Sequence, residues 1–329
     1  MTRPTILVTG GAGYIGSHVA LELLRRGCRV VIYDRNPAPQ GLVDLRTDGE
    51  LSGVQADLAD SAALNGALDR FRPDAAIHLA GYIAVAESVE NPAKYYHNNI
   101  TNGIALLDAL LAHGVKRFVF SSSAAVYGMP ERVPIPEEHP TAPINPYGRT
   151  KWMFEFILRD YDTAWGMKSM LLRYFNAAGA DDSGAIGEAH DPETHLIPLV
   201  LQVPLGLREN ICVFGTDYPT RDGTCVRDYI HVTDLAAAHV LAVEALLDGA
   251  PSEVFNLGNG QGHTVREVIE TAEAVVGRQI AAVEKPRRPG DPPALVASSE
   301  KIIERLGWQP RRNDLATIIE SAWRWHSAK

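Results

Sequence analysis

Thr5-Ile6-Leu7-Val8-Thr9-Gly10-Gly11-Ala12-Gly13-Tyr14-Ile15-Gly16 opens the 329-residue chain after four residues, and its reading decides the fold. Thr5 to Thr9 is a short β-branched apolar run, the pattern of a parallel strand buried on both faces, and it stops abruptly at glycine. The turn satisfies Gly-x-Gly-x-x-Gly from Gly11 and Gly-x-x-Gly-x-x-Gly from Gly10. It leads into His18 to Arg26, a segment with helical apolar spacing that closes at Gly27. Backbone without a Cβ lets a pyrophosphate approach a helix N-terminus, where free N–H groups and the dipole favour anions. Arg29 to Asp34 is a second apolar strand, and its terminal acid falls about twenty residues beyond the turn. Asp34 is placed to bind a ribose 2′-hydroxyl and to repel a 2′-phosphate, which predicts NAD in preference to NADP. Arg35, the next residue, weakens that preference.

Working outward, strands and helices alternate for about the first 175 residues, as an α/β, Rossmann-type doubly wound parallel sheet requires. A loop rich in proline, glycine and acids follows Asp34 and runs to Val54-Gln55-Ala56-Asp57-Leu58, a predicted strand whose Asp57 would meet an adenine amino group. Ala75 to Gly81 reads as a fourth strand ending in small residues, Leu79-Ala80-Gly81, that let backbone approach a cofactor. His78 within it reads as a packed core histidine. A helix containing Tyr95 to Asn99 comes next, and Val115 to Phe120 forms a fifth strand ending at Ser121, Ser122 and Ser123. All these ends face one way, so a ligand crevice collects residues from each C-terminal edge.

With 46% hydrophobic residues the chain can bury a large core or two connected ones, and disorder is not expected. A net charge of −9 without a basic stripe argues against nucleic acid as a partner. Cys28, Cys212 and Cys225 are odd in number and widely spaced, which fits reduced thiols in the cytoplasm and no metal site. The chain enters its first strand without a charged-then-apolar leader, and no apolar run approaches the length of a membrane span. A cytoplasmic protein without a membrane partner is expected.

Six prolines, Pro130, Pro134, Pro136, Pro140, Pro143 and Pro146, separate the serines from Tyr147, so a rigid loop rather than a helix joins them. Pro146 leads into a helix bearing Tyr147 and Lys151, which share a face at i and i+4. A free phenol titrates near ~10, so an adjacent ammonium and a pyridinium are needed to make it a base at neutral pH. Tyr-x-x-x-Lys on its own is weak evidence, since an aromatic core residue beside a solvated lysine gives the same pattern in many helices. Its weight comes from the glycine fingerprint and from the serines, of which Ser123 is placed to pass a proton between a sugar hydroxyl and the tyrosine.

These residues resemble the extended short-chain dehydrogenase/reductases, and within them the UDP-glucose 4-epimerases (UDP-galactose 4-epimerases), over nearly the whole chain. The similarity lies in Thr9 to His18, Ala86-Glu87-Ser88, Ser121 to Gly128, Pro146 to Lys151 and Leu172-Arg173-Tyr174-Phe175-Asn176. Phe214 to Thr220, Val226-Arg227-Asp228-Tyr229-Ile230-His231-Val232 and Arg287-Arg288-Pro289-Gly290-Asp291 continue it. Sugar-nucleotide dehydratases usually carry an acidic pair where this chain has Ser123-Ala124, so they fit worse.

What the resemblance implies is an isomerase that holds NAD tightly, oxidises C4 of a UDP-hexose and returns the hydride to the other face of the 4-keto sugar. Ser123, Tyr147 and Lys151 would be catalytic, with Lys151 on the nicotinamide ribose and holding the tyrosine's pKa down. Cofactor contacts would come from Gly10, Gly13, Tyr14, Ile15, Gly16, Asp34, Asp57 and Leu58. Leu79, Ala80, Gly81, Asn98, Ser121, Ser122 and Tyr174 would complete them. A smaller α/β substrate domain, residues 176–329, would follow an NAD-binding domain of residues 1–175, with the chain crossing between the two. There Asn176 would contact the diphosphate, Leu196 and Phe214 would frame the uracil, and Arg227 and Arg288 would grip phosphates. Asp291 would bind the uridine ribose, with His195 and Tyr229 as further contacts. A homodimer built on a helix pair is implied as well.

The chain departs from that family at two positions. Ile83, in Gly81-Tyr82-Ile83-Ala84-Val85, stands where epimerases often place a lysine near the cofactor, which loosens the expected grip on NAD. Leu295 stands where a bulky tyrosine in some relatives closes the pocket around the sugar's C2 substituent. It is either an ordinary packing residue or the opening that admits UDP-N-acetylhexosamines. A 4-epimerase of UDP-xylose and UDP-arabinose or of UDP-glucuronate would use the same three catalytic residues. A non-catalytic NAD-sensing module is the reading from another class.

Overall fold

Strand β1 (Thr5–Thr9) is buried at every residue in a computed structural model that describes residues 3–45, 47–288 and 290–328. Its side chains alternate between two layers, as the period of a strand demands. Ile6 and Val8 pack with Val30 and Ile32 of β2 (Arg29–Asp34) on one face. Leu7 packs with Val31 and Tyr33 on the other. The first layer is roofed by the helices Tyr14–Arg25 and Val232–Leu247, the second by Ser61–Phe71, Asn102–Ala112 and Pro146–Trp165. Apolar side chains on both faces are what a doubly wound sheet needs, and this one is parallel throughout.

The remaining strands of that sheet are β3 (Glu50–Gln55), β4 (Ala75–His78), β5 (Arg117–Ser123) and β6 (Lys168–Tyr174). In chain order come β7 (Asn176–Ala178), β8 (Ile211–Phe214), β9 (Val226–His231) and β10 (Glu253–Leu257). Last are β11 (Gly262–Thr264), β12 (Ala282–Lys285) and β13 (Ala294–Leu295). The seven-stranded order is β10-β6-β5-β4-β1-β2-β3. Smaller sheets join β9 to β7, β11 and β13, and β8 to β12. The C-terminal half has its own core, in which Ile197, Ile211, Val268 and Ile318 meet. After Phe175 the chain still supplies the Val232–Leu247 helix and β10 to the large sheet.

Several boundaries differ from the sequence expectation. The first helix begins at Tyr14, four residues before His18, because Gly13 caps it without a side chain and leaves no capping signal to read. The third strand runs Glu50–Gln55 in place of Val54 to Leu58. Among the described residues it is the sheet edge, paired only with β2 and largely solvated, so it needs few apolar residues. Asp57 therefore lies beyond the strand. A short helix, Gln40–Asp44, occupies part of the expected loop after Asp34. β4 stops at His78, three residues before Gly81, and β5 runs through the serines to Ser123. Pro289, within the Arg287–Asp291 motif, lies outside the described residues.

Candidate active site

The glycine turn meets the demands of a dinucleotide cradle by close approach. Gly10 has φ +73°, and a Cβ there would lie 2.5 Å from the Ala80 nitrogen. A Cβ on Gly16 would lie 2.0 Å from the Gly10 carbonyl oxygen. Gly13 caps the helix with no side chain on its first-turn donors, so the N–H groups of Tyr14 and Ile15 stay open to an anion. Asp34 accepts from the Ala12 nitrogen at 3.1 Å and from the Asn36 nitrogen at 2.9 Å, which fixes its carboxylate against the turn. Arg35 turns away, donating to the Tyr82 hydroxyl at 3.1 Å and lying 3.9 Å from Asp57. These features fit NAD, whose adenosine ribose Asp34 would take.

Around the rim, the Asp57 carboxylate accepts from Ala59 at 2.9 Å, and Leu58 is buried in the second core layer. The nitrogens of Leu79 and Ala80 both donate to the Thr9 carbonyl, at 2.9 and 3.1 Å. Gly81 faces the Asn99 side chain. Asn99 was not singled out from the sequence. It accepts from the Tyr82 nitrogen at 2.9 Å and donates to the Tyr82 carbonyl at 3.0 Å and to Thr150 at 3.2 Å. It thereby ties the Gly81–Tyr82 loop to the helix bearing Tyr147. Asn98, the expected contact, donates to Asn99 at 2.9 Å. Both asparagines sit in a π-helical stretch, Tyr96–Thr101, and tandem asparagines inside an otherwise helical segment were the available signal. His78 donates to or accepts from Thr9 at 2.7 Å, and burial lowers its pKa to about 3, so it is the neutral core residue expected.

Two expected cofactor contacts point elsewhere. The Tyr14 hydroxyl donates to the Gly179 carbonyl at 2.6 Å and its ring is buried, so only its backbone faces the cradle. The Ser122 hydroxyl is buried and donates to Glu155 at 2.6 Å, on the side opposite its neighbours in the strand.

Ser123 ends β5, and its hydroxyl accepts from Ala125 at 3.2 Å. Asn145 caps the Pro146–Trp165 helix by accepting from Gly148 at 2.8 Å, which sets Tyr147 and Lys151 on the first two turns. Both are nearly buried, Tyr147 at 9% and Lys151 at 5% exposure. Burial pushes the Tyr147 phenol up, and a hydrogen bond with Ser123 partly offsets this. Burial lowers Lys151 from 10.5 to about 8. Dehydration thus outweighs the Ser123 hydrogen bond in setting the phenol. The ammonium donates to the Ser121 carbonyl at 2.7 Å and lies 5.0 Å from the Phe120 ring centre. The Ser121 and Tyr174 hydroxyls hydrogen-bond beside it.

On the substrate side, Asn176 donates to the Asp228 carbonyl at 3.0 Å. Arg227 donates to the carbonyls of Val226 at 2.7 Å and Pro292 at 2.9 Å and pairs with Asp291. Arg288 lies over the Phe214 ring, 3.9 Å from its centre. Leu196 begins the Leu196–Gln202 helix, with His195 just before it. Burial alone would lower His195, yet hydrogen bonds and charge from Glu188 and Glu193 raise it to about 10. Tyr229 is buried and packed in the C-terminal core. Leu295 pairs in register with Arg227 and packs beside Ala124 and Phe175, next to the serine end of β5. Ile83 is exposed, while Lys94 lies 4.2 Å from the centre of the neighbouring Tyr82 ring.

A model of the NAD dependent epimerase/dehydratase family matches residues 6–258. The chain belongs to this family. Among its members, the UDP-glucose 4-epimerase of Rhizobium meliloti (strain 1021) is 51% identical over 329 residues, covering 100% of this chain and 99% of that one. The UDP-glucose 4-epimerase of Stenotrophomonas maltophila, solved with bound NAD and formylated UDP-arabinopyranose, superposes with TM-score 0.95 at 41% identity. That match covers 99% of this chain and 98% of the other. The UDP-Glc/GlcNAc 4-epimerase of Campylobacter jejuni gives TM-score 0.85 at 40% identity, over 99% and 100% of the two chains.

For this family member, the folded pKa of Lys151 lies below its ordinary value, so holding it charged costs stability at every pH below about 8. That cost fades as pH rises toward 10.5. Lys151→Met should therefore raise the urea midpoint of the nucleotide-free protein at neutral pH, by a margin that shrinks at alkaline pH. A gain that does not change with pH would overturn this reading.

Proposed function

We propose that this chain is an NAD-dependent epimerase that inverts C4 of a UDP-hexose, interconverting UDP-galactose and UDP-glucose. The observation that carries the reading is the gathering of Ser123, Tyr147 and Lys151 at the strand ends beside the glycine cradle, in a chain related to UDP-glucose 4-epimerases over its full length. NAD, when bound, supplies a hydride acceptor that returns what it takes. Tyr147, hydrogen-bonded to Ser123, takes the proton of the sugar 4-hydroxyl as the C4 hydride leaves. The buried phenol gives up its own proton only where positive charge shares the pocket, and Lys151 is the chain's contribution. The resulting 4-keto sugar turns about its bond to the diphosphate, so that the hydride comes back to the opposite face and Tyr147 returns the proton. Arg227 and Arg288 hold the diphosphate through this turn, with guanidinium forks matched to phosphate oxygens. Residues 1–175, with the returning Val232–Leu247 helix and β10, would hold the cofactor, and the rest of 176–329 the nucleotide sugar.

Purified protein incubated with UDP-galactose and no added NAD should yield UDP-glucose. Tyr147→Phe should lose most turnover, about a hundredfold or more for loss of a general base, while retaining its nucleotide. Full activity in the variant would remove the tyrosine from this role, and product only on addition of NAD would trace to a loosely held cofactor at Ile83.

Leu295, packed near Ala124, is proposed to leave room for a C2 acetamido group. Turnover of UDP-N-acetylglucosamine that Leu295→Tyr abolishes, with UDP-galactose turnover kept, is the expected pattern. No turnover of the acetylated sugar, or none lost in the variant, would refute the assignment.

We also propose a cytoplasmic homodimer. No helix of the described residues is long and apolar enough to cross a membrane. The packed helices Val85–Glu90 and Pro146–Trp165 leave Val85, Val89, Met153 and Phe156 exposed, an apolar stripe suited to its own copy. Light scattering should give twice the chain mass, falling to one chain in Phe156→Glu; a wild-type monomer would sink the proposal.

A further inference from the structure

Between β7 and the Leu196–Gln202 helix runs Glu188-Ala189-His190-Asp191-Pro192-Glu193-Thr194-His195, which brings four ligating groups into one cluster. One ligand atom from each of Glu188, His190, Glu193 and His195 lies within 4.8 Å of all the others. His195 Nδ1 is 2.7 Å from Glu188 and 3.1 Å from Glu193. His190 Nδ1 is 3.0 Å from Glu188 and 4.0 Å from Glu193. A tetrahedral ion bound at about 2.0–2.2 Å by imidazole nitrogen and carboxylate oxygen holds its ligands about 3.3–3.6 Å apart. The observed separations fall on either side of that value, so small side-chain rotations suffice.

Charge leads to the same place. The side chains of Glu188 and Glu193 are only 3% and 6% exposed. Among the described residues no lysine or arginine pairs with either carboxylate, and their cationic partners are the two histidines. Two nearly buried negative charges need a matching positive charge. Either two protons on the imidazoles or one dication with neutral imidazoles balances them. The second arrangement also makes a bond to every group in the cluster. Two imidazoles with two carboxylates suit a borderline transition ion and disfavour Mg2+ and Ca2+, which take oxygen ligands.

We propose that Glu188, His190, Glu193 and His195 form a binding site for a zinc-type divalent transition-metal ion. Its setting gives it a structural role. Backbone and outer contacts already orient the ligands, since Glu193 accepts from the nitrogens of Thr194 at 2.7 Å and His195 at 2.8 Å. Trp325 donates to the Glu188 carbonyl at 2.6 Å. The His190 ring meets Tyr14 edge-on, 6.3 Å between centres, and Tyr14 is the first residue of the helix that follows the glycine turn. His195 immediately precedes the helix that begins at Leu196. An ion here ties the start of that helix to the start of the cofactor-cradle helix, joining the two halves of the chain at one point. The cysteine-based expectation of no metal site looked to sulfur ligands and passed over this nitrogen and oxygen set.

The test uses Co2+ as a spectroscopic probe on the full-length protein, treated with EDTA and then freed of it. Tetrahedral nitrogen and oxygen ligation should produce visible d–d bands that saturate at one Co2+ per chain and are displaced by Zn2+ but not by Mg2+. In His190→Gln, chosen because that side chain is 33% exposed and its loss should leave the fold intact, affinity should fall at least about tenfold. In His190→Gln/Glu193→Gln the bands should vanish, with far-ultraviolet circular dichroism unchanged for the single variant. Absence of the bands in wild-type protein overturns the site, and so do bands that survive unchanged in His190→Gln.

Discussion

The buried pair of Glu155 and Arg173 is the interaction on which the placement of Ser123, Tyr147 and Lys151 depends. Glu155 lies on the same helix as Lys151, four residues on, and Arg173 lies in β6. The guanidinium donates to both carboxylate oxygens, at 2.9 and 2.6 Å, and to Tyr127 at 3.0 Å. Ser122 of β5 donates to the same carboxylate at 2.6 Å. One carboxylate thus fixes the helix against two adjacent strands, in the register that puts Tyr147 beside Ser123 and Lys151 over Ser121. With side chains only 3% and 1% exposed, neither charge has water to fall back on. Loss of one member of such a pair typically costs about 3–5 kcal/mol, because the other is left charged and unpaired. The same geometry explains why the Ser122 hydroxyl turns away from the crevice: it is part of the clamp.

A second constraint comes from the glycine turn. Its atoms approach the Ala80 backbone so closely that no side chain fits at Gly10, and Asp34 is held by the Ala12 nitrogen of that same turn. The pyrophosphate end and the ribose end of the cradle are therefore one rigid piece. Asn99 extends it, because a single amide joins the Gly81–Tyr82 loop to Thr150 on the helix of Tyr147. The glycine turn, its neighbouring loop and the helix of Tyr147 are held by one connected backbone.

What could be read from the sequence and what could not follows physical lines. β1, β2 and the Tyr147–Lys151 helix were legible because continuous apolar runs, a terminal acid and Pro146 leave strong local signals. β3 was misplaced because an edge strand with one neighbour carries little hydrophobic pattern. The start of the first helix was missed because a glycine cap has no side chain to announce it. Tyr14 and Ser122 belong to motifs that touch the cradle, yet which way a side chain turns depends on Gly179 and Glu155, 165 and 33 residues away in the chain. Long-range partners of this kind leave no trace in local spacing. The same holds for the depression of Lys151, which comes from burial and not from its neighbour at i−4.

The substrate side carries the converse lesson. Arg227 is paired with Asp291 and two carbonyls, and Arg288 is laid on Phe214. A cation set as deep as Arg227, whose side chain is 14% exposed, is expensive to hold with no partner, since it would face part of its desolvation cost alone. Pairing it with Asp291 within the chain offsets that cost. In the function proposed above, a diphosphate would compete with Asp291 for Arg227, and a uracil with Arg288 for the face of Phe214. Binding would then be an exchange of partners, its net strength a difference between similar interactions. Such an exchange lets the nucleotide be held through a rotation of the sugar without being held so tightly that product cannot leave.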